Sequence, residues 1–473
     1  MVDLRNIFKF IPEVRKPTEK QLDFKIKLKW TLIILGAFFI LSNITLFGLS
    51  VNALARFDFL ATVLAADFGS LISLGIGPIV LGSIILQLLS GSGIIHIDTK
   101  TSEGKKLFQG IQNLLVFFFI IFEAMVYVLM QGLQADPLLG RIGPIILIFQ
   151  LILGGLVIFY MNEVCQKWGF GSGVSLFIAA GVSRILFTQA FQFVNAQGKN
   201  CLLDFSGTAC SGKVLVFVQS IINKAPMEAY SALAALIATA VIFLIVVWAQ
   251  SLKVEIPLSF GRIRGYGVKW PLAFFYASVI PIILVAALIA NIQLFGGILQ
   301  NKVGHPTILG NFMDDGQAVC EANGCGFAFW LGSTDLLGLI IKKAFLWKYI
   351  YQAITHILFF VILSVIFSVF WVKTSGMDAK SQAKNISSSG LQVSGFRQDE
   401  RILESILERY IMPLTVMGGA AVGLLASVTN LFGALVGGTS MLLVIMIVFQ
   451  FYQNIAKDHM MDMNPGMRNF MGG

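Results

Sequence analysis

The sequence predicts an all-α membrane protein with ten transmembrane helices, and three observations support this fold class. Hydrophobic residues make up 56% of the 473 residues, whereas charged residues make up only 12%. A soluble protein of this length needs charged side chains over most of its surface. Ten separate apolar runs are long enough to cross a bilayer, and basic residues are concentrated in alternate segments between them. We therefore expect one helical bundle rather than several soluble domains.

The ten predicted spans follow from length and hydropathy. A bilayer core about 30 Å thick is crossed by roughly 20 apolar residues in an α-helix. The runs that approach or reach this length cover residues 31–50, 71–91, 111–130, 142–161, 173–187, 233–252, 272–295, 349–372, 411–428 and 434–452. The first run follows a stretch with eight Lys or Arg, and no small-residue cleavage site comes after it. We therefore expect no cleaved signal peptide.

The basic residues orient this bundle. With the N-terminus placed inside, the inner segments hold 24 of the 34 Lys and Arg residues. The positive-inside rule then places both termini in the cytoplasm. The predicted organisation is a cytosolic segment at 1–30, a first half at 31–190, an outer loop at 191–232, a second half at 233–456 and a cytosolic tail at 457–473.

One apolar segment is too short to cross the bilayer. Residues 59–70 read FLATVLAADFGS and run into LGIGP at 74–78, a sequence that breaks or kinks a helix. Because lipid does not tolerate loose backbone, this pattern predicts a half-inserted, re-entrant segment buried inside the protein. The alternative is an amphipathic helix on the membrane surface.

Ionisable residues and enzymatic motifs are scarce in the spans. Glu123 and His356 lie within predicted helices, and Arg184 lies near the outer end of one. The motifs HExxH, GxGxxG and GxxxxGK[ST] are missing from the sequence. Ser172 is flanked by glycines, but Phe170 occupies the position where a hydrolase nucleophile motif requires glycine. We therefore expect no catalytic residues, no cofactor and no metal site.

Several motifs occur in one order along nearly the whole chain. They are LGIGPIV at 74–80 with QLL at 87–89, GSGVSLFIAA at 171–180, VEIPL at 254–258 with GRIRG at 261–265, IPIIL at 280–284, ANIQL at 290–294, GFR at 395–397, RYIMPLTV at 409–416 and GALVGGT at 433–439. This set resembles the motifs of the SecY-type protein translocase channel subunits, and the residues in the motifs are most similar to those of the archaeal members.

The resemblance implies two pseudo-symmetric halves of five helices that open like a clamshell. It implies the central pore-forming subunit of a translocase, which moves unfolded secretory chains across the cell membrane and releases hydrophobic segments sideways into the lipid bilayer. Small SecE-type and β-type subunits and the ribosome are the implied partners. The alternatives are a secondary transporter with inverted repeats, which requires ionisable groups at the midplane, and a membrane scaffold without a pore.

The resemblance also implies roles for particular residues. The hydrophobic pore ring falls on Ile76, Val80, Val174, Ile178, Ile283 and Leu443. The segment at 59–70 corresponds to a short re-entrant plug helix that blocks the closed pore, with side chains of Phe59, Leu60, Leu64 and Phe68. Gln87 and Asn291 correspond to polar positions at the lateral gate. Without the resemblance, the ring residues would be interpreted as ordinary packing residues.

Two basic inner loops, 253–270 and 373–409, correspond to ribosome-docking loops. The implied contacts are made by Arg262, Arg264 and Arg397. Guanidinium groups suit RNA phosphate because they bind it bidentately and stay charged. The positive-inside rule by itself also accounts for these charges, so topology signals remain the alternative.

The five cysteines are sorted by the predicted topology. Cys165 lies alone on the cytoplasmic side, whereas Cys201 and Cys210 share one outer loop and Cys320 and Cys325 share the next. Disulfides persist outside the cytosol and are rare within it. This distribution predicts Cys201–Cys210 and Cys320–Cys325 bonds, with free thiols or pairing between the loops as alternatives.

Overall fold

The chain is a bundle of long helices with small sheets at its ends. The computed structural model describes residues 13–18, 22–52, 54, 61, 64–91, 94–95, 101–194, 200–201, 210–260, 267–277, 280–313, 318–321, 324–341, 343, 346–388, 391–393, 400–436 and 438–463. Within these ranges the helices are α1 (Phe24–Ser42), α2 (Gly77–Gly91), α3 (Ser102–Leu129), α4 (Ile142–Trp168), α5 (Gly173–Phe191), α6 (Lys213–Ile222), α7 (Pro226–Ser251), α8 (Ile280–Val303), α9 (Phe327–Leu331), α10 (Leu336–Ile341), α11 (Trp347–Thr374), α12 (Ala379–Ser388), α13 (Glu400–Leu431) and α14 (Gly438–Met463). The strands are β1 (Leu49–Asn52), β2 (Leu133–Ala135), β3 (Lys253–Phe260), β4 (Gly267–Ala273), β5 (Cys320–Glu321), β6 (Gly324–Cys325) and β7 (Leu391–Val393).

Eight helices in the described part of the chain are long and apolar enough to cross a membrane. They are the helices α3, α4, α5, α7, α8, α11, α13 and α14. Helix α1 has 19 residues, but Lys25, Lys27 and Lys29 lie in its first two turns. Helix α2 is apolar but has only 15 residues. With these two, the order of elements agrees with five helices in each half.

Three predicted spans are wrong at their boundaries. The span at 31–50 ends early, because α1 stops at Ser42 and β1 pairs antiparallel with β2. The span at 71–91 becomes helical only at Gly77, because turns occupy residues 71–76. The span at 272–295 begins at Ile280, because Leu272 and Ala273 belong to β4 and residues 274–277 form a bend and a turn. In each case a local backbone pairing or turn overrides hydropathy.

The two basic loops that were predicted to lie on the inner side, 253–270 and 373–409, share one sheet. Strand β3 pairs antiparallel with β4 of the same loop and also with β7 of the other loop, so the sheet order is β4-β3-β7. Beneath this sheet, Ile256 and Leu272 pack in a small hydrophobic cluster with Val372 and Leu407. This cluster is separate from the main core of the bundle. The two loops are therefore parts of one structural unit.

The main core lies where the two halves meet. Helix α2 packs against α8 and α11, and α14 packs against α5, α7 and α8. Glycines allow the closest approaches: a Cβ added at Gly154 would lie 1.8 Å from the Leu71 carbonyl oxygen. The turns at 71–76, which lead into α2, are therefore pressed directly against α4.

Candidate functional site

The six ring residues lie on, or directly before, helices that meet in the main core. Ile76 directly precedes α2, which carries Val80, and α5 carries Val174 and Ile178 near its start. Ile283 lies in the first turn of α8 and Leu443 in the second turn of α14. All except Val174 are buried, and Val174 is half-buried against the same hydrophobic cluster. The structure therefore includes all six in one continuous core.

The part of the plug segment (residues 59–70) that the structure describes packs on this core. Leu64 is buried, and Phe68 is half-buried with its ring 6.3 Å from the Tyr127 ring in an edge-on arrangement. The Leu64 carbonyl accepts a hydrogen bond of 2.8 Å from the backbone N–H of Ile76. Residue 61 is helical and residues 64–70 form turns and extended backbone, whereas Phe59 and Leu60 lie outside the described residues.

A glycine permits this contact. Gly75 has φ +52°, in the left-handed region that favours glycine. A Cβ added there would lie 2.3 Å from the Leu64 carbonyl oxygen and 2.9 Å from the Ala66 Cα. The backbone of the plug segment therefore approaches the start of α2 closely enough to exclude any side chain at position 75.

Polar contacts hold the C-terminal end of the plug segment. The Arg184 guanidinium on α5 lies 2.9 Å from the Asp67 carboxylate, and both side chains are more than one-third exposed. The Asn52 side-chain amide donates to the Phe68 carbonyl at 2.8 Å. The segment is thereby tied both to β1 and to a helix that carries two ring residues.

The predicted gate residues are buried but do not bond to each other. The Asn291 side-chain amide donates to the Ala287 carbonyl of its own helix at 2.8 Å. The acceptor oxygens Gln87 Oε1 and Asn291 Oδ1 have no hydrogen-bond partner among the described residues. The seam between α2 and α8 therefore lacks a direct hydrogen bond between these two side chains.

Glu123 is a site residue whose place the sequence did not indicate. Its side chain on α3 is fully buried, and neither carboxyl oxygen has a hydrogen-bond partner in the described part of the chain. A Cβ added at Gly77 would lie 3.0 Å from Glu123 Oε2. An ionisable residue in an apolar run usually faces the protein interior, so the sequence predicted only that Glu123 is buried. The sequence did not indicate that Glu123 contacts the start of α2.

The three predicted docking arginines, Arg262, Arg264 and Arg397, lie outside the described residues. Their flanking strands are described, and Phe260 pairs with Leu391 at the end of the shared sheet. The pairing brings the two basic loops side by side.

The four cysteines that were predicted to lie in outer loops form two disulfides. Cys201 and Cys210 have Cα atoms 5.5 Å apart, and Cys320 and Cys325 have Cα atoms 4.3 Å apart. Cys165 is buried and free. Among the described residues, no group of three or more His, Cys, Asp or Glu side chains could hold a metal ion.

Comparisons of sequence and of structure both relate the chain to one protein family. The family model of SecY matches residues 70–452. The chain is 40% identical to the protein translocase subunit SecY of Methanocaldococcus jannaschii over 471 residues, which cover 100% of both chains. It is also similar to a SecY channel whose plug domain stabilises the closed state and maintains a membrane seal. The TM-score is 0.80 and the identity 38%, over 98% of this chain and 99% of the other. It is also similar to Sec61 in the canine ribosome–channel complex from the endoplasmic reticulum, with a TM-score of 0.78, 38% identity and the same coverage.

Proposed function

The chain belongs to the SecY family of protein translocase subunits, and we propose that its six ring residues form the constriction through which unfolded chains pass. It is a multi-pass membrane channel subunit and not an enzyme. The observation that carries the ring assignment is the burial of these side chains in one core, with the plug segment bonded to Ile76.

The chemistry of the ring suits a seal that can open. Ile76 and Val80 are four residues apart, as are Val174 and Ile178, so each pair presents one face of the chain. Branched aliphatic side chains can close around an extended polypeptide without binding it specifically. When nothing passes, the same side chains exclude hydrated ions by dewetting.

The plug segment and the gate complete the mechanism. The hydrogen bond from Ile76 N to the Leu64 carbonyl holds the plug segment against the ring in the closed channel. A hydrophobic segment in transit separates α2 from α8 near Gln87 and Asn291, and it then partitions into lipid by its own hydropathy.

The topology follows from the charge distribution, and the membrane and the partners follow from the family. Both termini lie in the cytoplasm, because the basic residues are concentrated in the segments on that side. The cell membrane is the location that suits a relative of archaeal translocase subunits. Small SecE-type and β-type subunits complete the channel. The ribosome docks on the joined loops 253–270 and 373–409, where Arg262, Arg264 and Arg397 contact RNA phosphate.

A polar substitution in the ring tests this proposal. Ile178→Asn should raise the ion conductance of the resting channel, reconstituted with its small subunits, because an amide lets water wet the constriction. Ile158→Asn is the matched control, since Ile158 is equally buried but lies on α4 outside the ring. Equal conductance in the two variants would contradict the ring assignment. Translocation of an unfolded secretory chain into proteoliposomes tests the transport function itself.

A further inference from the structure

The backbone of residues 13–15, which we call the N-terminal strap, is bound to the last turns of α4. The Val14 N–H donates to Glu163 Oε2 at 3.1 Å, and Lys167 Nζ donates to the Val14 carbonyl at 2.6 Å. The Trp168 indole N–H donates to the Arg15 carbonyl at 3.0 Å. Three side chains of one helix end therefore recognise the backbone of the strap, much as a neighbouring strand would.

The charges beneath the strap depend on it. Glu163 and Lys167 form an ion pair one turn apart, and their side chains are only 6% and 8% exposed. Glu13 adds a second carboxylate 3.7 Å from Lys167 Nζ. Buried charges require both an opposite charge and further hydrogen bonds, and the Val14 peptide groups supply those bonds. The strap is thus part of the charge balance at this end of α4.

The same turn of α4 also holds the start of α5. Asn162 Oδ1 accepts a hydrogen bond of 3.0 Å from the Val174 N–H and one of 3.3 Å from the Gln166 side chain. A Cβ added at Gly173 would lie 2.6 Å from the Asn162 Cα, so the two helices touch here through backbone. Val174 is a ring residue, and its amide has no intrahelical acceptor at the helix start. Asn162 supplies that acceptor.

The connecting turn at 169–172 is enclosed from the other side by α1. The Phe24 and Phe170 rings lie 5.3 Å apart, and the Phe170 N–H donates to the Thr31 hydroxyl at 3.4 Å. The turn therefore has little freedom to shift while the strap and α1 are both in contact with it.

From these contacts we propose that Asn162 is a positioning residue for the pore ring, and that the N-terminal strap fixes its turn through Glu163 and Lys167. Asn162 does not touch the polypeptide in transit. It fixes the orientation of the first turn of α5, and with it the position of Val174 at the constriction. This inference rests on the proposed function, because it assumes that Val174 belongs to the ring.

The test compares three variants by the ion conductance of the resting channel in planar bilayers. Asn162→Ala removes the acceptor, and loss of one such hydrogen bond should make conducting events about fivefold more frequent. Asn162→Asp keeps an acceptor at the helix N-terminus, where a carboxylate is favoured, and should restore the seal. Gln150→Ala is the matched control, since Gln150 bonds both backbone groups of Phe47 at the outer end of the same helix.

The outcomes separate this inference from the proposed function. Increased conductance in Asn162→Ala with rescue by Asn162→Asp supports positioning, whereas a leak in both variants would overturn it in favour of a purely structural role. A sealed Asn162→Ala channel beside a leaking Ile178→Asn channel would overturn the inference and leave the ring intact. If neither leaks, both fail. Lys167→Met should leak like Asn162→Ala, and unchanged conductance there would overturn the role of the strap.

Discussion

Replacing Gly75 by alanine should release the plug segment and make the resting channel leak. Gly75 precedes the ring residue Ile76 and faces the backbone of the plug segment. The substitution adds a single methyl group and leaves the ring side chains, the plug side chains and all charges unchanged. Any change in the seal therefore reports on the contact between the two backbone segments.

The magnitude follows from the geometry at Gly75. Alanine at φ +52° costs about 1–2 kcal/mol because of the left-handed conformation. The added Cβ would also lie 2.3 Å from the Leu64 oxygen, whereas such contacts are usually about 3.3 Å or longer. Leu64 must retreat by about 1 Å, which breaks the bond from Ile76 N and leaves a buried polar group unpaired at a cost of about 1–3 kcal/mol. That second cost corresponds to a roughly 5- to 150-fold loss of the closed arrangement.

Gly140 provides the control for conformational strain. Its φ is +53°, and no atom lies within 4 Å of an added Cβ. Gly140→Ala therefore also places an alanine at a positive φ, but it makes no contact with the plug segment. The assay is single-channel conductance of the reconstituted complex without a chain in transit. If both variants conduct equally, the contact with Leu64 does not keep the channel closed and the reasoning is refuted.

Three further predictions concern the regions outside the ring. Charge reversal at Arg262 and Arg264 should weaken ribosome binding in cosedimentation and reduce the salt dependence of the affinity, because fewer counterions are released. An unchanged affinity would mean that these two charges only orient the chain in the membrane. Replacing Cys201 and Cys210 by serine should lower the unfolding free energy by about 2–3 kcal/mol in the chain-entropy model, and a melting temperature insensitive to reductant in the parent protein would contradict this. Burial raises the pKa of Tyr276 to about 12. The neutral side chain therefore contributes its full stabilisation of the fold below a pH of about 10, and this contribution is lost as pH rises through about 12. Tyr276→Phe should therefore make alkaline unfolding less steep, as followed by circular dichroism.

Hydropathy predicts the long helices well, because a span must satisfy its backbone internally over a fixed length. It fails where an apolar run has another backbone partner. Leu272 is as apolar as the residues of α8, yet it pairs with Val254 in the β3–β4 hairpin. A segment that enters lipid and a strand that is buried in a small sheet have the same apolar composition. The sequence pattern therefore could not place the start of α8 at Ile280.

The candidate site was less predictable than the fold. Ile76 and Ile283 are two aliphatic residues among dozens, and only the motifs around them marked them as ring positions. Glu123 was visible as an isolated carboxyl in an apolar run, but its neighbour Gly77 belongs to another helix. The support of Val174 by Asn162 was also hidden, because the hydrogen-bond partner of Asn162 depends on how α4 and α5 cross.

The helix seams of the bundle differ in how strongly they resist separation. Between α11 and α13, Ser364 Oγ donates to the Gly419 carbonyl at 2.8 Å, and a Cβ added at Gly423 would lie 2.9 Å from the Ser364 Cβ. Small residues and a bond across helices make such a seam costly to part. Between α2 and α8, by contrast, the buried oxygens of Gln87 and Asn291 are unpaired among the described residues, and each unmade hydrogen bond costs about 1–3 kcal/mol. Opening that seam lets both oxygens find water or a polar partner, which offsets part of the lost packing. We therefore expect the bundle to part between α2 and α8, toward lipid, while α11 and α13 move together as one body.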